Sequence, residues 1–337
     1  MLVIDACGAP GEIGRMRGAA AADLIPTTLR LTCGFDLGDA TCAARLDDVR
    51  RRLEARMPRI VEEADGLAAG AGISADEALA LSVSIDLCNR LPGYCSLVAL
   101  AAGDGVLLAK NQDTLPEMAP LQVVERIRPD QGLAYLNFTL AGAMWTDGGV
   151  NTAGLALVCG SLTPARTNPE GQPDGIVIRE LLRVCATVEE ATEFLRANPP
   201  MSLGENILVA DAAGAARRIE SMPHGFASTG GVPLVACNHP ADPRLVTQMA
   251  PDDPISANSH AREDRLTAGV SSGPGSDPVA QARSLLRSVF QTGDADLWTV
   301  ANVLVRPETR TLGAAIYADW TEVPEPAPLE WLELDVD

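Results

Sequence analysis

The chain has 337 residues, 47% hydrophobic and 21% charged, with a formal net charge of 26 − 45 = −19. A chain of this length buries roughly three quarters of its unfolded surface, in one large domain or two smaller ones. The acidic balance argues against nucleic acid and anionic membrane as partners, since either needs a basic patch, and no run of about 18 apolar residues predicts a membrane span.

The first ~94 residues read mainly as helix from their apolar spacing. Asp5 interrupts the short apolar start, so no secretory signal is expected and the protein is expected to be cytoplasmic. Gly11-Glu12-Ile13-Gly14 leads into an Ala-rich stretch from Gly18 to Leu24. A second helix is predicted over Asp39 to Gly66, with Leu46, Val49, Leu53, Met57 and Ile60 on one face. Ser74 and Glu77 form a capping-box pattern that opens a third helix, running to about Asn89 before Leu91-Pro92-Gly93 breaks it.

After Tyr94 the periodicity changes from 3.6 to 2. Cys95 opens a β-run, Gly103-Asp104-Gly105 is a hairpin turn, and Val106 to Lys110 return. Strands are predicted over 121–128, 132–140 and 154–159, and helices over Asp174–Arg183 and Val188–Ala197, the latter capped by Thr187 with Glu190. Asn206–Asp211 and Ala216–Ser221 read as paired strands, Pro278–Phe290 as helix and Thr311–Tyr317 as a late strand.

Cysteines stand at positions 7, 33, 42, 88, 95, 159, 185 and 237, with no CxxC pair, so reduced buried thiols are expected and no zinc site. No strand leads into GxGxxG and no Walker loop occurs, so no cofactor is implied. The chemistry concentrates at Cys95, which opens a strand directly after a Pro-Gly break. A thiol becomes a useful nucleophile when a base removes its proton. Histidine is the usual base, and the three here, His224, His239 and His260, carry no accompanying signature, so a Cys–His hydrolase stays open. The other candidate base is the cysteine's own α-amine, freed by cutting the Tyr94–Cys95 bond. Its ordinary pKa of roughly 7.7–8.0 suits proton transfer near neutral pH.

Gly93-Tyr94-Cys95-Ser96-Leu97-Val98-Ala99, followed by Asp104-Gly105 and Asn111-Gln112-Asp113, resembles the penicillin acyltransferase family (acyl-CoA:6-aminopenicillanic acid acyltransferase, peptidase family C45) of the N-terminal-nucleophile hydrolases. The layout is also similar to bile-salt hydrolases and penicillin V acylases. Further matching segments are Gly11-x-x-Gly14-x-x-x-Gly18, Gly149-Val150-Asn151-x-x-Gly154, Asn206 to Asp211, Cys237-Asn238-His239, Ser259-x-x-Arg262, and Arg306 to Leu312 followed by Asp319. The resemblance therefore spans nearly the whole chain.

The resemblance implies an α+β, four-layer αββα fold with two stacked antiparallel sheets. Residues 1–94 would be a helical leader that becomes the α subunit, and 95–337 the catalytic β subunit, together one compact domain and an α/β heterodimer once cut. It implies Cys95 as nucleophile, Asp113 (113 − 95 = 18 residues on) orienting the new amine, Asn151 and Asn238 as oxyanion donors, and Arg262 supporting the nucleophile. Read from the residues alone, Asp113 is also a solvated turn carboxylate, Asn151 a left-handed turn residue and Arg262 a surface helix residue; Asn206 is a third donor candidate or a strand edge. His239 and His260 read as structural or surface groups. Two departures stand out: Tyr94 occupies the position before the cysteine where the family has Gly, and Gln112 and Thr114 flank Asp113 where a Trp is usual.

The implied activity is a self-cleaving cysteine amidohydrolase or acyltransferase that passes an acyl group from a small amide or thioester through an S-acyl enzyme. Acyl-CoA is an admissible donor, but an acidic chain with one lysine offers little to hold its phosphates, which ranks amide hydrolysis first. The alternative, motivated by Tyr94, is an uncleaved non-catalytic relative that binds a small ligand or partner in the same pocket.

Overall fold

The computed structural model describes residues 1–34, 36–88, 94–251, 253, 256–271, 273, 275–293, 297–317 and 327–335. The predicted helix break at Leu91-Pro92-Gly93 and the terminal Asp319 lie outside the described residues. Strand β1 (Leu2–Gly8) opens the chain and five helices follow: α1 (Pro10–Ala20), α2 (Ile25–Thr32), α3 (Ala40–Arg56), α4 (Pro58–Ala71) and α5 (Ala75–Cys88). Next come β2 (Tyr94–Ala102), β3 (Gly105–Thr114), a 3-10 turn at Pro116–Leu121, β4 (Gln122–Pro129), β5 (Tyr135–Leu140), β6 (Gly148–Asn151) and β7 (Ala156–Leu162). Helices α6 (Asp174–Val184) and α7 (Val188–Ala197) precede β8 (Gly204–Ala210), β9 (Ala216–Met222), β10 (Gly225–Gly230) and β11 (Leu234–Ala236). Helices α8 (Pro243–Val246), α9 (Ser256–Val270) and α10 (Pro278–Arg287) lead to β12 (Trp298–Arg306), β13 (Thr311–Ile316) and β14 (Glu330–Glu333).

The strands form two sheets, ordered β1-β4-β5-β6-β7-β8-β9-β10 and β11-β2-β3-β12-β13-β14. Leu97 and Leu108 from one sheet and Phe138, Val158 and Leu208 from the other share a single apolar cluster, so the sheets stack face to face. Helices α6 and α7 cover the outer face of the first sheet through Leu181, Leu182 and Leu195. Helices α9 and α10 cover the second through Leu266 and Leu286. This is the αββα architecture of the N-terminal-nucleophile hydrolases.

The leader departs from its helical reading at two places. Ile4 and Ala6 are buried at alternate positions, and β1 joins the larger sheet parallel to β4, from Leu2 opposite Val123 to Gly8 opposite Pro129. A seven-residue run with period 2 is too short to outweigh the helical signal that follows it. The predicted helix over Asp39 to Gly66 is two helices, because Pro58 has no amide proton to continue α3 and instead sits in the first turn of α4. The Ser74–Glu77 capping box forms as read, with the Glu77 amide on Ser74 Oγ at 3.1 Å and the Ser74 amide on Glu77 Oε2 at 2.8 Å.

The glycine motif near the start has a steric cause. A Cβ at Gly14 would meet the Glu63 carbonyl oxygen at 2.0 Å, and one at Gly18 the Leu67 oxygen at 2.3 Å; from α4, one at Gly66 would meet the Gly11 oxygen at 2.2 Å. Helices α1 and α4 therefore pack backbone to backbone. Beneath them Arg17 Nη1 donates to Glu63 (2.7 Å) and Nε to Glu125 of β4 (2.8 Å), while Arg179 of α6 donates to the same Glu63 oxygen at 2.6 Å. These buried charges bind the leader to both the sheet and its covering helix.

Candidate active site

The β2–β3 hairpin places Tyr94 opposite Asp113, Cys95 opposite Gln112 and Leu97 opposite Lys110. Opposed residues share a face of the sheet and neighbours alternate. Cys95, Gln112 and Lys110 thus face the space between the sheets, where Leu97 and Leu108 join the core. Tyr94, Ser96, Asn111 and Asp113 face the helical layer, where Asn111 donates to the Leu286 carbonyl of α10 at 2.9 Å. The pleat puts the thiol on one side of the strand and the groups that grip its backbone on the other.

The backbone of Cys95 is held at both ends. Its nitrogen donates to Asn238 Oδ1 at 2.9 Å. Its carbonyl accepts from Arg262 Nη1 at 2.6 Å, and the same guanidinium donates to Ser96 Oγ and, through Nη2, to Asn238 Oδ1 at 2.9 Å. Arg262 Nε is spent on Asn258 Oδ1 at 2.6 Å, and the guanidinium carbon stands 5.5 Å from the centre of the Tyr94 ring. Asn238 gives one amide hydrogen to the Ser161 carbonyl at 2.9 Å; a primary amide carries a second. Behind it, the Asn238 backbone nitrogen donates to Ser259 Oγ at 2.8 Å, and Ser259 pairs with His239 Nδ1 at 2.7 Å.

Asp113 is fully buried. Its Oδ1 accepts from Thr299 Oγ1 at 2.7 Å, and its Oδ2 has no hydrogen-bond partner among the described residues. Burial pushes its carboxyl up to about 6, with the nearby Arg262 pulling the other way. Burial likewise pushes the Cys95 thiol up to about 12, opposed by the Lys110 ammonium. The thiol is therefore neutral in the uncut chain and needs a base.

The thiol opens into a cavity of about 60 Å³. Gly160 of β7 forms the wall nearest it: a Cβ there would lie 2.9 Å from Cys95 Cβ and 3.9 Å from Sγ. Lys110 is buried in the same cavity, bonded to Asp147 Oδ1 at 2.9 Å and to its carbonyl at 3.2 Å. Burial alone would discharge the lysine, but Asp147 holds it charged. No histidine lines this cavity among the described residues.

Of the residues singled out in the sequence, the structure gathers Cys95, Asp113, Asn238 and Arg262 around one stretch of backbone. Asn151 is not with them. Its amide donates to the carbonyls of Leu182 and Cys185 at 2.9 and 2.7 Å, and its Oδ1 accepts from the backbone of Ala153 and Leu155. Both hydrogens are spent on tying the β6–β7 turn to the end of α6, so the oxyanion expectation for Asn151 does not carry over to this geometry. Asn206 also spends both hydrogens, on the carbonyls of Cys237 and His239 at 2.8 Å, and so braces the segment that carries Asn238. Arg262 does lie on a helix, α9, but the surface reading fails because that helix lies against β2 with Arg262 on its buried side.

Residues that sequence reasoning passed over are Gly160, Asp147, Asp174 and Glu205. One signal was available for this wall: Lys110 is the sole lysine and falls on the cysteine's face of the hairpin.

The family described as acyl-coenzyme A:6-aminopenicillanic acid acyl-transferase has a sequence model that matches residues 100–311, well over half of the chain. The chain belongs to this family. As a member it is a cysteine amidohydrolase or acyltransferase, and its nucleophile candidate lies five residues before the matched region (100 − 95 = 5). Among solved structures it is similar to penicillin V acylase from Agrobacterium tumefaciens, at 17% identity and a TM-score of 0.50 over 71% of this chain and 86% of that one. It is also similar to a mutant of conjugated bile acid hydrolase from Clostridium perfringens, at 14% identity and 0.53 over 71% and 92%. At these identities the likeness is one of fold. No curated protein sequence matches the chain.

Proposed function

We propose that this family member activates itself by cutting Tyr94–Cys95 and then hydrolyses a small N-acyl compound through an S-acyl intermediate on Cys95. The observation that carries the reading is the Cys95 nitrogen, seated on Asn238 Oδ1 beside a buried neutral thiol, with no histidine in its cavity among the described residues. Once freed, that nitrogen is the base at hand.

In the first step Sγ attacks the Tyr94 carbonyl carbon. The C–S bond forms, the C–N bond breaks, and the thiol proton goes to the departing nitrogen. Water then cleaves the thioester, leaving a Tyr94 carboxylate, a free thiol and the α-amine. In turnover the amine takes the thiol proton, sulfur attacks the substrate carbonyl, and the proton passes to the leaving amine; water releases the acid. The second hydrogen of Asn238 is the side-chain donor for the oxyanion. Asp113, with an unpartnered oxygen among the described residues, takes the new ammonium as partner from the neighbouring strand, and Arg262 keeps Cys95 and Asn238 in register.

The leader, about residues 1–94, stays bound as the α subunit. Thr32 and Ser84 from it line the cavity, and Arg17 and Glu63 tie it to the body. Hydrolysis ranks ahead of transfer from acyl-CoA, because the one lysine is neutralised by Asp147 and the charged groups otherwise on the cavity wall are acidic. Intact-mass spectrometry of the wild type beside Cys95→Ala tests the reading. Fragments 1–94 and 95–337 in the wild type, with the variant uncut, are expected. One unbroken mass in both would remove the amine as base and leave the non-catalytic binding protein as the better reading.

A further inference from the structure

The cavity beside Cys95 holds polar groups that the cleavage chemistry does not use. Glu205 of β8 sits opposite Ser161, one residue beyond the glycine that faces the thiol. It accepts one hydrogen bond from Ser161 Oγ at 2.9 Å, and its other carboxylate oxygen is buried without a partner among the described residues. Asp174, at the start of α6, is buried on the same wall with neither carboxylate oxygen hydrogen-bonded among the described residues, and the Asp86 carboxyl of the leader lies close by. Gln122, 3% exposed on the same cavity wall, has neither amide atom bonded among the described residues, and the Thr146 hydroxyl is likewise unpartnered among them. Lys110, the one cation lining the cavity among the described residues, is neutralised by Asp147.

Unpaired carboxylates and an unsatisfied amide are costly inside a protein, at roughly 1–3 kcal/mol for a neutral polar group and more for a charge. Each such group in a folded chain calls for an explanation, and several converging on one cavity beside the thiol are explained by a ligand that completes them. An acyl group carried on Sγ has this cavity as its space. We propose that the cavity selects substrates whose acyl chain ends in a cation, an ammonium or guanidinium, which Glu205 and Asp174 receive while Gln122 offers amide contacts. The proposal rests on the amidohydrolase reading of Cys95 and names the substrate class of that site. In the free protein burial, with Asp174 nearby, holds Glu205 well above the usual carboxylate range, and burial pushes Asp174 up to about 6. A bound cation reverses that balance and expels protons. The chain's net charge of −19 draws cations in the same direction.

The test compares two isosteric anilides on the purified, self-processed protein, 5-aminopentanoyl and hexanoyl. The expected kcat/KM ratio is at least about tenfold in favour of the ammonium, because a site built for a polar group discriminates strongly against the analogue that lacks it. In Glu205→Gln that ratio falls by about tenfold or more, mainly through KM; Asp174→Asn serves if the first variant does not fold. A hexanoyl preference in the wild type, or a ratio unmoved in a folded variant, overturns the proposal. If neither anilide is turned over, the amidohydrolase reading fails separately, and calorimetry decides the cation site with butylguanidinium against butylurea. Tighter binding of the guanidinium, lost in Glu205→Gln, upholds it; equal or absent binding of both overturns it.

Discussion

Two regions of this molecule bury charge, and they treat it oppositely. Under the α1–α4 crossing, Glu63 meets both Arg17 and Arg179, and Glu125 meets Arg17 and the Asn137 amide at 3.0 Å. Each carboxylate there has a cationic partner, and Glu63 is held below its ordinary range: burial raises it, but the two arginines outweigh burial. Along the Cys95 cavity, Glu205 and Asp174 have no cationic partner bonded to them among the described residues, and burial moves both upward. In the first region every carboxylate finds its cation within the fold, although Nε and Nη1 of Arg179 have no hydrogen-bond partner among the described residues. In the second the carboxyls meet no cation within the described residues, which is the observation behind the proposed cationic substrate. Buried charge thus distinguishes architecture from function better than burial itself does.

The contrast can be broken at several points. The largest expected effect is from Glu63→Ala, which leaves two buried arginines facing each other without that anion. Truncating one partner of a buried pair costs roughly 3–5 kcal/mol, visible as a lower urea midpoint, and a change below about 1 kcal/mol would mean the network is not what holds the leader. Next, Asn238→Ala removes both the seat of the Cys95 nitrogen and a candidate oxyanion donor. Loss of one such donor costs about 3–4 kcal/mol, a rate reduction of roughly 10²–10³. Gel densitometry of fragment appearance reads it, and unchanged kinetics would displace Asn238 from the site.

The third prediction concerns pH. Asp113 is raised to about 6 in the uncut chain, so it is mostly neutral below that pH and ionised above it. If its carboxylate supports cleavage, the rate falls as pH drops through about 6, by about tenfold per unit well below it. A rate flat from pH 5 to 7 would count against Asp113. The smallest effect is on stability. Asp174 keeps its proton up to about pH 6 when folded, against an ordinary value of 3.8. A raised carboxyl leaves stability intact below the unfolded value and loses it as pH rises through the folded one. Asp174→Asn should therefore raise Tm by a few degrees at pH 8 relative to the wild type, with no such gain at pH 4. A like change at both pH values would mean the carboxyl does not titrate between them.

How much could be read in advance follows from the range of each interaction. The Ser74–Glu77 box, the α6 and α7 boundaries and the hairpin that sets Asp113 beside Tyr94 are local, and the residues that decide them lie within one turn or one hairpin. Cys95 itself was legible because a period-2 run opens there after a Pro-Gly break. Arg262 and Asn238 were legible only through motif order, since α9 gave no strong amphipathic stripe. Asn151 was misread because its segment looks the same whether its amide hydrogens face a substrate or, as here, the carbonyls of Leu182 and Cys185.

By itself, then, the sequence determined most of the local elements, the family, the candidate cysteine and the strand pairing that returns the aspartate beside it. Local hydrogen bonding and period-2 or period-3.6 burial are written in nearest neighbours. Only the tertiary structure decided that the thiol faces the sheet interior while Asp113 and Arg262 work from the helical side. It alone brought Glu205, Asp174 and Gln122 from β8, α6 and β4 to one cavity wall, where one oxygen of Glu205, both of Asp174 and the Gln122 amide lack hydrogen-bond partners among the described residues. Those groups are distant in the chain, and nothing in a one-dimensional pattern carries the partnerlessness that the packing of two sheets and a helix creates.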